Sequence, residues 1–111
     1  MAQNFRRYTE NNVGTSAEDI PNGANFDSYD AIVGISLANV GSSAINVDCY
    51  INDGSNDIYL VKDAPIPTGG ALQVLDGGAK IVVQSGDRLY VKSDTASSLA
   101  AWVSVVDAIS T

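Results

Sequence analysis

Ala44-Ile45-Asn46-Val47-Asp48-Cys49-Tyr50-Ile51-Asn52 alternates without a break, with Ile45, Val47, Cys49 and Ile51 on one side and Asn46, Asp48, Tyr50 and Asn52 on the other. A period of two is that of a strand with one buried face, because successive side chains point to opposite sides of a sheet. The same theme runs through the last two-thirds of the chain. Short apolar runs at 31–37, 45–51, 58–61, 71–75, 80–83, 89–92 and 101–106 are each closed by Gly, Pro, Asn, Asp or Ser. Runs of this length, rich in Val, Ile and Tyr and punctuated by turn residues, predict an all-β protein. The expected architecture is an antiparallel β-sandwich, Greek-key or jelly-roll-like, with its core over residues 31–111.

Within 31–39, Val33, Ile35 and Leu37 are expected to share the buried face, and Gly34, Ser36 and Ala38 the other, where a second backbone could pack closely. Pro65-Ile66-Pro67-Thr68-Gly69-Gly70 predicts a bend between sheets, since its prolines cannot donate to a ladder. Asp53-Gly54-Ser55-Asn56-Asp57 and Ser85-Gly86-Asp87 predict turns. No helical period persists; 96–101 is long enough for one turn. Residues 1–30 differ from the rest, being rich in Asn, Thr, Ser and Asp with isolated apolar residues. They are expected to form an extended N-terminal arm with short strands near 6–9 and 13–16 and a turn at Pro21-Asn22-Gly23. Two roles are open for this arm: an irregular surface segment, or one that docks on a neighbouring subunit.

At 111 residues the chain has the size of one domain and can bury a core without disulfides. Cys49 has no intrachain partner and sits on the apolar side of its strand, so a buried structural thiol is expected, with an intermolecular or reactive one as the alternative. Thirteen acidic residues against six basic give a formal charge of −7. That sign argues against nucleic-acid and anionic-membrane partners. No apolar run reaches the ~20 residues that span a bilayer, and the first twelve residues lack the apolar segment of a secretory signal.

The composition offers little for catalysis. There is no histidine to serve as a base beside a nucleophile, and one cysteine cannot build a zinc site. Many of the carboxylates (Asp53, Asp57, Asp76, Asp87, Asp94) fall in turns, where they bond their own backbone. The 53–57 loop lacks the ligand spacing of a calcium loop, and Gly69-Gly70 and Gly77-Gly78 lack the Lys-Ser/Thr and helix that a phosphate loop needs. The expectation is therefore no enzyme, no catalytic residue, no metal and no cofactor. The residues expected at an interface are Phe5, Arg6, Arg7, Tyr8, Tyr50 and Trp102: the basic pair with its aromatic neighbours, an outward tyrosine, and the single tryptophan. Trp102 with Tyr50, Tyr59 and Tyr90 could instead stack on a glycan, although aromatics in strands more often make cross-strand pairs.

Three stretches carry a family resemblance: Tyr29-Asp30-Ala31-Ile32-Val33-Gly34-Ile35-Ser36-Leu37-Ala38-Asn39; Tyr59-Leu60-Val61-Lys62-Asp63-Ala64-Pro65-Ile66-Pro67-Thr68-Gly69-Gly70-Ala71-Leu72; and Gly78-Ala79-Lys80-Ile81-Val82-Val83-Gln84-Ser85-Gly86-Asp87-Arg88-Leu89. With the closing Val103-Ser104-Val105-Val106, this order resembles small virion structural proteins of tailed bacteriophages of the marine and cyanobacterial kind. The resemblance implies a β-sandwich module assembled in many copies on a virion after synthesis in the host bacterial cytoplasm. The function expected on that basis is a capsid decoration or cement protein that bridges neighbouring capsid subunits. A neck, tail or fibre component is the alternative within the class, and a cell-surface glycan-binding module the alternative outside it. Phage capsid or other virion proteins are the expected partners, with a homo-oligomer, preferably a trimer, as the assembled form. Removal of residues 1–12 is expected to leave a folded sandwich that no longer assembles.

Overall fold

The computed structural model describes residues 4–20, 23, 26, 30–75 and 80–107. Among them the chain forms nine strands and no helix: β1 (Asn4–Val13), β2 (Glu18–Ile20), β3 (Ala31–Asn39), β4 (Ile45–Asn52), β5 (Asp57–Ile66), β6 (Ala71–Leu75), β7 (Ile81–Val82), β8 (Arg88–Ser93) and β9 (Leu99–Asp107). Two antiparallel sheets pack face to face as a β-sandwich. The first has the order β1-β9-β3-β6, with β7 also pairing β3, and the second has the order β2-β8-β4-β5.

The pairings nest. The first strand pairs with the last (β1 with β9), the second with the second last (β2 with β8), the third with β6 and β7, and β4 with β5. Contacts of β9 with β3 and of β8 with β4 then complete the two sheets.

The core lies between the sheets. Ile35, Leu37, Leu99, Val103 and Val105 from the first meet Ile45, Val47, Cys49, Leu89 and Val91 from the second, and all are essentially inaccessible to solvent. Fully burying one such Val, Leu or Ile contributes about 1.5–3 kcal/mol, which makes this double layer the main source of stability. β4 follows the expected alternation, with its odd-numbered residues inside. In β3 the expected phase holds at Ile35 and Leu37 but not at Val33. The β3–β9 register shifts between Ile32 and Gly34, so Val33 is the extra residue of a bulge and Ile32 takes the buried position.

Residues 4–20, expected within an arm, belong to the sandwich. β1 pairs along β9 from Asn4 opposite Asp107 to Val13 opposite Leu99, and Val13 and Ile20 are fully buried. Phe26 is buried too, and Tyr8 meets it edge-on with ring centroids 6.5 Å apart. Gly14 passes so close to the β8–β9 turn that a Cβ there would lie 3.2 Å from the Ala96 Cα, while its carbonyl accepts the Ser93 N–H. Over residues 4–20 the segment expected as an arm supplies one edge strand to each sheet. Of the turn expected at Pro21-Asn22-Gly23, only Gly23 lies within the described residues. Its positive φ of 77° suits a turn, and its N–H donates to the Asp19 carboxylate at 3.0 Å. Tyr29, Asp76 and the Gly77-Gly78 pair lie outside the described residues.

The bend expected from Pro65 begins later. β5 continues through Pro65 to Ile66, which is tolerated because β5 is the edge of its sheet. The chain then turns at Pro67-Thr68-Gly69-Gly70, where Gly69 has φ 74° and the Gly70 N–H donates to the Pro67 carbonyl at 2.9 Å. Asn39 joins the two regions. Its buried amide nitrogen donates to the carbonyls of Ser43 and Ile66, and its oxygen accepts the Gly41 N–H.

Candidate docking face

The outward side of the first sheet gathers the candidate residues. Register places Phe5, Arg7 and Thr9 of β1 opposite Val106, Ser104 and Trp102 of β9, and Ser104, Trp102 and Ala100 opposite Gly34, Ser36 and Ala38 of β3. Gln73 and Ala71 of β6 extend the row, with the Gln73 amide donating to the Ser36 hydroxyl at 3.0 Å. Trp102 stands at the middle of this face and is 51% exposed, while Phe5 at one end is 80% exposed. The Arg7 guanidinium carbon lies 5.2 Å from the Trp102 ring centroid, a cation–π contact that holds the indole against the sheet. Shallow grooves run on both sides of the ring. One is lined by Thr9, Glu10, Ser36, Ala38 and Ala100, the other by Phe5, Arg6, Arg7 and Ser104. Among the described strand residues, register gives Arg7 as the one charged residue directed to this side, while Arg6 and Glu10, at inward positions of the same edge strand, border its grooves.

The outward side of the second sheet has the opposite character. Tyr59, Tyr50 and Tyr90 stand in register across β5, β4 and β8, with ring centroids 4.9 and 5.3 Å apart, and the Lys62 ammonium lies 4.5 Å from the Tyr59 centroid. Tyr50 has a neighbouring ring on each side. Burial first, then Asp57, Tyr59, Tyr90 and Asp48, push its hydroxyl to a higher pKa. The carboxylates collect here and in the adjoining turns. The Asp48 carboxylate accepts the N–H of Asp63, whose φ of 51° marks a bulge in β5, and Asp94 accepts the Asn46 N–H and the Thr95 hydroxyl. Asp53 accepts the N–H groups of Asn56 and Ser55, which pull its carboxyl below the usual range. Each of these carboxylates accepts at least one backbone N–H. No group of three or more His, Cys, Asp or Glu side chains that could hold a metal ion occurs among the described residues.

Of the residues expected at an interface, the structure brings Phe5, Arg7 and Trp102 together on one face. Arg6 and Tyr8 point to the inner side of the same edge strand, opposite Val105 and Val103, and Tyr50 lies on the far sheet. Ser36, Ala38, Ala100 and Ser104 were not singled out as interface positions. The alternation of small residues along 34–38 was visible, but its alignment with Ala100 and Ser104 exists only once β9 has paired with β3. Cys49 is wholly buried, and burial pushes its thiol up to about 12, which makes it a structural thiol. Compared with protein-family models, curated proteins and solved structures, the chain matches none of them.

Proposed function

We propose that this chain is a non-enzymatic structural component of a bacteriophage virion, a decoration or cement protein whose Trp102 face lies against neighbouring capsid subunits or other virion proteins. The observation that carries the docking role is the composition of that face. In a chain of formal charge −7, one broad side has, among the described strand residues, Arg7 as the one charged residue in register on it, Glu10 only at the border of one groove, and small side chains around an exposed tryptophan. Interfaces concentrate Trp and Arg and exclude carboxylates in this way, because desolvating a carboxylate costs more than a flat contact returns. The nested strand pairing supports reading the sandwich as a jelly roll, an architecture used by viral capsid and lectin domains. The phage assignment itself rests on the sequence resemblance.

Cementing follows by mass action: a protein that binds only the assembled lattice raises the free energy of opening it. The glycan alternative gains little from the tyrosines, since Tyr50 is stacked between Tyr59 and Tyr90, and Arg7 lies over the Trp102 ring.

Co-sedimentation with particles lacking this protein tests the proposal, with Ala38→Glu and Trp102→Ala as variants. Both positions face outward, so each variant keeps a melting midpoint close to the parent. Each is expected to lose most particle binding. Full binding by folded Ala38→Glu would overturn the docking face, and saturable glycan binding abolished by Trp102→Ala would replace this reading with the lectin one.

A further inference from the structure

Covering the Trp102 face leaves one charge without a counterpart. Arg7 is exposed, and its guanidinium carbon lies over the Trp102 ring at 5.2 Å from the centroid. Among the described residues no hydrogen bond or ion pair engages that guanidinium. Its neighbours on the face, Phe5 and Thr9 along β1 and Ser104 and Trp102 on β9, are all uncharged. Glu10, the nearest carboxylate along the strand, is at an inward position and borders the groove on the other side of the ring. Because the guanidinium lies over the indole, a partner cannot cover Trp102 without also covering Arg7.

We propose that Arg7 reads a carboxylate: the protein that docks on the Trp102 face presents an Asp or Glu side chain to the Arg7 guanidinium. This rests on the docking role given to that face above. A guanidinium carries five N–H donors in its plane, and an aromatic ring beneath it takes up its face while leaving those donors free. In the free protein water meets them. Docking removes that water, and a cation desolvated without a partner is costly, so an anion must enter the contact. The face itself supplies none, and the partner therefore does. A carboxylate fits the fork with two parallel hydrogen bonds. Phosphate has the same fit, but nucleic acids and anionic membranes present it in arrays, which repel a chain of charge −7 and outnumber a single guanidinium. One carboxylate matches one cation. Trp and Arg together, ringed by small neutral side chains, also have the make-up of an interface hot spot, whose surroundings keep water from a strong central contact.

The test is co-sedimentation of the full chain with particles lacking it, some untreated and some with their carboxylates amidated by carbodiimide and glycinamide. Parent, Arg7→Gln and Ala38→Glu are compared, each checked by its melting midpoint. On untreated particles Arg7→Gln is expected to bind about tenfold more weakly than the parent. On amidated particles the parent falls to the level of Arg7→Gln, whose own binding changes little. Such non-additivity marks a direct pair, whereas an Arg7 that only steadied the indole would leave amidation with the same effect on both chains. Three results would overturn the carboxylate while Ala38→Glu still loses binding and the docking face stands: Arg7→Gln binding like the parent, amidation weakening both chains equally, or amidation leaving the parent unchanged. The last, together with weak binding by Arg7→Gln, would assign the anion as phosphate. Full binding by Ala38→Glu, or a parent that binds no particle, removes the docking role and this inference with it.

Discussion

Replacing Cys49 by alanine removes a thiol that faces Val91 across β4 and β8 and has no exposed surface. Burial raises its pKa from the ordinary 9.0 to about 12. In the unfolded chain the thiol ionises near the ordinary value. Between these two limits the unfolded state has released a proton that the folded state still holds, so unfolding becomes easier as pH rises. The contribution is complete below about pH 9 and declines by about 1.4 kcal/mol per pH unit above it, until the folded thiol also ionises. At about pH 10.5 the loss reaches about 2 kcal/mol. Urea unfolding of the parent and of Cys49→Ala, each at about pH 8 and pH 10.5 under reducing conditions, measures it. The variant starts lower at pH 8 because of the space it leaves, but the parent falls by about 2 kcal/mol more over the interval. Tyr50 and the other tyrosines are present in both proteins and cancel in the comparison. Equal losses in the two proteins would show that the Cys49 thiol is not desolvated as the structure has it.

Ile35→Asp and Val47→Asp each put a carboxylate between the sheets without a partner, at a cost of several kcal/mol, and are expected to give no cooperative melt by circular dichroism. Asn46→Asp keeps the fold, but its new charge joins Asp48, Asp63 and Asp94, so its melting midpoint is lower in low salt and recovers as salt is added. Deleting residues 1–12 strips β9 of its edge-side partner, leaving it paired only with β3, and removes Tyr8 from Phe26. The expected result is loss of cooperative unfolding, and a truncated chain that melts like the parent would refute the place given to β1.

The strands from 31 onward were legible because their inner faces are apolar and their ends carry turn residues. β4 is the clearest case, with its odd-numbered residues apolar and inside. Of β1 only a short piece near 6–9 was legible, for the opposite reason. Its inward positions, Arg6, Tyr8 and Glu10, lie at a sheet edge where long side chains can reach water, while Phe5 points outward and its buried apolar residue, Val13, stands alone at its end. A reading by hydrophobic period cannot recover the full length of such a strand. Val33 shows a second limit. Strict alternation sends it inward, and only the pairing with β9 reveals the bulge that gives its place to Ile32. Pro65 shows a third, since a proline excludes a central strand but not an edge, and position within the sheet is a property of the whole fold.

The area of the proposed docking face limits how tightly one copy can bind. Nine residues of β9 at about 3.3 Å each make a face about 30 Å long, and four strands about 4.8 Å apart make it about 19 Å wide. The footprint of one copy is then about 570 Å², short of the ~800 Å² per partner that a stable interface uses. A single contact of that size is weak, so occupancy of a particle should rise with the concentration of free chain and fall on dilution. Ala38→Glu should move that binding curve to higher concentration while its melting midpoint stays close to the parent's, and a variant that binds along the parent's curve would refute the docking face.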